Sequence, residues 1–193
     1  MSEEQIEIAK ENAHRNFERI KNQLPKKLVS MEESMFERIS KHQGNPLTKL
    51  RVLYEFMDEL YTFVNRFTPC KKGCNYCCHY LVSVTDIEVA YIESKSKIRR
   101  LKTLLPRNDF HGYPCPFLKN GTCGIYQARP FVCRKHVTMC QTSIWCDPNR
   151  CNTEKFPLLN FSEVNKSFNM IVRESGIVGD NDIRHVFDGN IFA

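Results

Sequence analysis

Apolar side chains recur through the first third of the chain at steps of three and four residues. Ile6, Ala9, Ala13, Phe17, Ile20 and Leu24 form one such stripe, the spacing of a single helical face. Ser2 and Gln5 stand three apart at its start, where they can cap each other's backbone amides. Pro25 interrupts this helix or begins the next. Leu28, Met31, Met35, Phe36 and Ile39 continue the pattern, and Gly44 marks a C-terminal stop. Asn45-Pro46 then reads as an N-cap followed by proline at the first helical position. Beyond it, Leu50, Leu53, Tyr54, Met57, Leu60, Tyr61, Val64 and Phe67 make an apolar face broad enough for a buried core helix, which Pro69 ends. Residues 3–67 are therefore expected to be helical.

The helical period weakens after Pro69. Thr85 and Glu88 have capping-box spacing and open a helix expected over residues 85–104, before Pro106. Residues 106–160 carry several prolines together with Gly112, Gly121 and Gly124. They read as loop, with a short helix near Ile125–Ala128. A last helix is expected over residues 162–175, stopped by Gly176, and from Gly179 onward the pattern is indistinct, as in a fraying end. The fold class is thus mostly α, a helical protein with an irregular cysteine-rich metal-binding loop core. Residues 1–67 form a helical N-terminal region and 68–160 a cysteine-cluster domain. Residues 161–193 form a C-terminal helix and tail that pack on that same domain.

Cysteine distribution sharpens this division. All ten cysteines of the 193 residues lie between positions 70 and 151. The N-terminus, MSEEQIEIAK, is charged and lacks the apolar run of a signal peptide, and no stretch approaches the ~20 apolar residues of a membrane span. A cytoplasmic location is expected, and in a reducing compartment clustered thiols bind metal or do redox chemistry more often than they form disulfides. Cys77 and Cys78 are adjacent, where a bridge would be strained. The net charge of +6 is too modest to point to nucleic acid, and bound thiolates would offset part of it.

The strongest chemical signal is Cys70-Lys-Lys-Gly-Cys74-Asn-Tyr-Cys77-Cys78. Closely spaced cysteines supply metal donors at low loop-closure entropy, and Gly73 permits a tight turn between them. One run seldom completes a site, so further ligands must return from downstream. Cys115 lies in a Cys-Pro-Phe-Leu segment, Cys123 in Cys-Gly-Ile-Tyr, and Cys133 in Arg-Pro-Phe-Val-Cys-Arg; Cys140, Cys146 and Cys151 follow. The paired C-x2-C form of a zinc ribbon is missing. For an isolated cysteine such as Cys140, a buried apolar role competes with ligation.

These four segments, in this order, resemble the cysteine-cluster proteins of the YkgJ type, the CxxCxxCC family of zinc- or iron-chelating domains. The resemblance covers about residues 70–134. It implies metal chelation through Cys70, Cys74, Cys77, Cys78, Cys115, Cys123 and Cys133. It accounts neither for the helical front nor for the last three cysteines. The flagellin lysine methylases look similar over the same cluster, which raises an enzyme alternative, a metal-dependent protein-modifying enzyme such as a lysine N-methyltransferase.

All-sulfur ligation at irregular spacing suits an iron–sulfur cluster, 4Fe–4S first, and Lys71, Lys72, Arg129, Arg134 and Lys135 could offset its charge; zinc uses the same thiolates. Arg129 and Arg134 are expected to brace the loop around Cys133. His79, His111 and His136 are not needed as ligands, and Tyr76, Tyr80, Phe117 and Tyr126 read as packing that keeps water off the site. The three-cysteine start also resembles radical S-adenosylmethionine enzymes, but no alternating strand–helix pattern of a barrel accompanies it. Two functional classes follow. In one, the metal is structural, redox-active or sensing, the helical N-terminal region binds a protein partner, and no pocket adjoins the metal. In the other, a cleft beside the metal serves an enzyme.

Overall fold

The computed structural model describes residues 2–106, 109–176 and 179–188. Helix α1 spans Glu3–Gln23, α2 Lys26–Glu33, α3 Met35–Lys41 and α4 Pro46–Val64. Their starts follow the sequence closely. Ser2 and Gln5 exchange the two bonds of a capping box, and Asn45 accepts from the Thr48 amide at 2.9 Å with Pro46 behind it. The α4 face is the centre of the core: Leu50, Leu53, Tyr54, Met57, Leu60, Tyr61 and Val64 are all buried, and Phe67 packs at its edge. Ala13 and Ile20 of α1 and Leu28, Met35 and Ile39 of α2 and α3 close over that face.

Helix α7, Ser162–Glu174, packs on α3 and α4. It has no side-chain cap of its own, and the Glu32 carboxylate accepts from the Glu163 amide at 2.8 Å. The nearly buried Lys49 ammonium of α4 reaches Glu174 at 2.8 Å, tying the other end of α7 to the core helix.

Strand β1, Ser83–Thr85, leads into α5, Asp86–Lys95, through the expected Thr85–Glu88 capping box. This helix ends well short of residue 104. Arg99 donates to the Glu93 and Ser96 carbonyls, and Arg100 folds back onto Glu93 and Asp86, so the orphan carbonyls of the last turn find cationic partners there. Residues 101–105 then run beside the tail, with the Leu101 and Leu105 amides donating to Val186 and His185 carbonyls.

The expectation of a fraying end from Gly179 is corrected as far as residue 188; its remainder, 189–193, lies outside the described residues. Strand β4, Asp180–Asp182, pairs antiparallel with β1, Ser83 opposite Asp182, and a short helix α8, Ile183–Val186, follows. Ile183, Val186 and Phe187 are buried. The sequence gives little periodicity here because the segment is short and its partners lie a hundred residues away. A further departure from pure loop is the hairpin of β2, Leu118–Lys119, and β3, Thr122–Cys123. Asn120 and Gly121 at its tip both have positive φ, 49° and 72°, the geometry for which Asn-Gly is suited. Helix α6, Phe131–Lys135, completes the described elements used below, together with short 3-10 turns at Tyr76–His79, Tyr126–Ala128 and Ser143–Cys146.

Candidate metal centre

The first cysteine run is held by turns. The Cys74 amide donates to the Lys71 carbonyl at 2.9 Å, with Gly73 at φ +96°, a conformation that favours glycine. Cys77 and Cys78 sit in the 3-10 turn Tyr76–His79, where the Cys78 amide donates to Asn75. Cys70 lies just before, and its sulfur accepts from the Thr138 amide at 3.5 Å.

The downstream cysteines are brought back by backbone pairing. The Cys115 amide donates to the Cys78 carbonyl at 2.7 Å and the Gly112 amide to His79, so the two loops lie side by side. Cys123 enters on β3, and Asn75 reaches across to the Gly121 carbonyl at 3.4 Å. Cys133 enters on α6, whose placement depends on one carboxylate. Buried Glu88 accepts four hydrogen bonds, from the Tyr54 hydroxyl, the Phe131 amide, and the Thr85 amide and hydroxyl. Burial pushes its pKa up, and those bonds oppose the shift.

Arg129 and Arg134 brace the loop, as the sequence suggests. Arg134 is buried, stacks over Tyr54 at 4.3 Å, pairs with Asp58, and donates to the Arg129 and Gln127 carbonyls. Arg129 lies over Tyr126 at 3.8 Å. Lys71 also faces the cysteines. Lys135 instead lies over the Phe131 ring and reaches toward Asn165, turned away by the α6 helical period.

All seven sequence-predicted cysteines line two adjoining cavities of about 40 Å³ each. Cys70 faces the first, Cys78, Cys115 and Cys123 the second, and Cys74, Cys77 and Cys133 form the shared wall. Cys146 joins Cys70 in the first cavity. Cys140 is buried elsewhere, and Cys151 faces a separate cleft. Among the described residues, no three His, Cys, Asp or Glu side chains are already drawn into the arrangement that holds a single ion. The thiols surround space instead. Burial raises the pKa of Cys70, Cys123 and Cys133, and pushes Cys115 and Cys146 up to about 12; Cys77 is raised first by its hydrogen bond with Cys78 and then by burial. Without a cation, these groups are held as thiols.

The residues that sequence reasoning missed are Arg184 and Asp182. Arg184 is buried and donates to the carbonyls of Cys78, Tyr80, Tyr113 and Pro114, at 2.7 to 3.2 Å. Asp182 pairs with it at 3.0 Å and accepts from the Val82 amide at 2.7 Å. A single guanidinium thus gathers both cysteine loops. Asp-x-Arg in an aperiodic tail carries no local signal of that role. The packing aromatics behave as expected in part: Phe117 is fully buried against Phe187, whereas Tyr80 donates its hydroxyl to the Cys146 carbonyl at 2.6 Å.

A cleft of about 700 Å³ opens beside the first cavity, sharing Cys146, His136 and Val137 with it. The expectation that no pocket adjoins the cysteines fails here. The cleft's lining includes Tyr80, Leu81, Trp145, Phe156 and Leu158.

Comparison with family models decides what this cysteine assembly is. Residues 69–155 match the model of CxxCxxCC, described as "Putative zinc- or iron-chelating domain". Over this segment the chain resembles a CxxCxxCC domain. The matched span takes in all the lining of the two cavities except Asn65 and Ile183, and most of the cleft wall, and extends past Cys133 to include Cys140, Cys146 and Cys151. Tail residues Asp182 and Arg184, which clamp the domain's loops, lie outside it. No curated protein and no solved structure matches the chain. Among the described residues, no helix is long and apolar enough to cross a membrane.

Proposed function

We propose that the CxxCxxCC domain of this chain holds an iron–sulfur cluster, 4Fe–4S first, on its cysteine thiolates, in a structural, redox or sensing role in the cytoplasm. The observation that carries the reading is the convergence of all seven of these cysteines on the walls of two adjoining cavities. Each, at about 40 Å³, exceeds the ~15 Å³ that one water needs, which favours a polynuclear centre over one ion. The donor set fits such a group. Cys70, Cys74, Cys77, Cys78, Cys115, Cys123 and Cys133 supply more thiols than one zinc takes. Arg129 and Lys71 at the wall would offset the negative charge of a thiolate-bound cluster. A bound cluster would supply one-electron chemistry or a ligand-sensitive fold. The protein's part is to keep the thiols together and exclude water, while the metal's charge offsets the cost of ionising the buried thiols. A protein partner for the helical N-terminal region belongs to this reading.

The test is iron, zinc and acid-labile sulfide analysis of protein purified without oxygen, with its visible spectrum. Iron and sulfide in equal amounts, with a broad absorbance that bleaches on reduction, are expected. Colourless protein with stoichiometric zinc would replace the cluster with a zinc centre.

The cleft supports a second reading, a metal-dependent protein-modifying enzyme such as a lysine N-methyltransferase. That reading requires turnover on a partner protein and saturable binding of S-adenosylmethionine by the metal-loaded chain. Absence of both would remove it.

A further inference from the structure

The cleft beside the cysteines has the size of a small-molecule site, about 700 Å³ within the usual ~300–1,000 Å³. Several of its lining side chains are aromatic rings. Trp145 and Phe156 meet edge to face at 5.1 Å. Tyr80, also on the lining, lies parallel to the His111 ring at 6.3 Å and takes the His136 ring edge-on at 5.3 Å. Leu81 and Leu158 on the lining are 57% and 76% exposed, adding apolar surface to the rings.

Charge at the cleft is one-sided. The wall carboxylate, Glu154, is already paired with Lys10 of α1 at 2.7 Å. The exposed Lys155 next to it is left as the net charge on the lining. An apolar slot between rings, closed by leucines and carrying one ammonium at its edge, selects a planar apolar body with a single negative group.

We infer that this cleft binds a small aromatic acid, its ring between Trp145–Phe156 and Tyr80–His111 and its anionic group at Lys155. The site lies beside the seven thiols that line the two small cavities. It touches them through Cys146, so its occupant would sit against the wall of the cysteine cavity. The inference does not depend on which metal is bound.

The experiment is calorimetric titration of the full, metal-loaded chain as purified. The probe is 1-anilinonaphthalene-8-sulfonate, with naphthyl-trimethylammonium as its cationic counterpart. One saturable site for the sulfonate is expected, with at least tenfold weaker binding of the ammonium compound. Lys155→Glu should weaken the sulfonate at least tenfold. So should Leu158→Asp, which changes the rim without touching the core, while both variants keep the parent melting temperature and metal content. No saturable heat with the sulfonate, equal binding of the two probes, or unchanged affinity in both variants would overturn the inference.

Discussion

The Arg184 guanidinium donates to the main-chain carbonyl of Cys78 at 3.2 Å, across a sequence separation of more than a hundred residues. The same side chain reaches Tyr80, Tyr113 and Pro114, and its charge is balanced by Asp182. Removing it would take the guanidinium from four carbonyls and leave the largely covered Asp182 carboxylate without its counter-charge. Loss of one member of a buried pair costs about 3–5 kcal/mol. Arg184→Met is therefore expected to lower the denaturation midpoint strongly and to reduce metal content, because the two cysteine loops lose their common tie. A variant with parent stability and full metal would show that the loops hold each other without the clamp.

How much of this was legible beforehand depends on the range of the interactions. Ser2, Asn45 and Thr85 announce helix starts because capping acts over three residues, and the α4 face is written in its own period. The seven cysteines that line the cavities were identified by their segments. Arg184 was invisible because its partners are carbonyls, which every residue has. Cys146 was left open for a related reason: it stands alone in sequence and reaches Cys70 only through the turn Ser143–Cys146. The β2–β3 hairpin could have been read from Asn120-Gly121, a dipeptide suited to a two-residue hairpin turn.

Position separates the three late cysteines. Cys146 shares a cavity with Cys70, Cys74 and Cys77, whereas Cys140 is fully buried outside it. Cys74→Ser and Cys146→Ser should each lower bound metal per chain. Cys140→Ser should keep the metal and lose about 1–3 kcal/mol of stability by burying a hydroxyl. Elemental analysis beside thermal melts distinguishes them, and equal metal loss in all three would contradict this assignment.

Glu88 links α4, α5 and α6 through four donors. Glu88→Gln places an amide NH₂ where a donor already points, at a cost of about 1–3 kcal/mol. The pH dependence has a definite sign. Burial raises the folded-state pKa above 4.5, so the stability this group contributes is fully present below the unfolded value and is lost as pH rises through the folded one. The parent's advantage over the glutamine variant should shrink as pH rises above about 4.5. A gap that widens instead would mean that the four hydrogen bonds outweigh burial.

Metal removal should affect the two halves of the molecule differently. Helices α1–α4 and α7 bury their own apolar faces against one another, with α4 at the centre. The cysteine loops add Phe117, Ile125, Val137 and Met139 to that core but have little regular secondary structure, and also rely on turns, the Arg184 clamp and the thiols themselves. When a chelator strips the metal, buried thiols regain protons, and the energy that metal binding contributes to folding is withdrawn from the loops first. The chain's single tryptophan, Trp145, lies in those loops and is 7% exposed. Its emission should shift to the red on chelation, while most of the helical circular dichroism remains. Simultaneous loss of both signals would mean that the metal centre also supports the helical front, through contacts such as Asn16 to the Met139 carbonyl and Arg134 to Asp58.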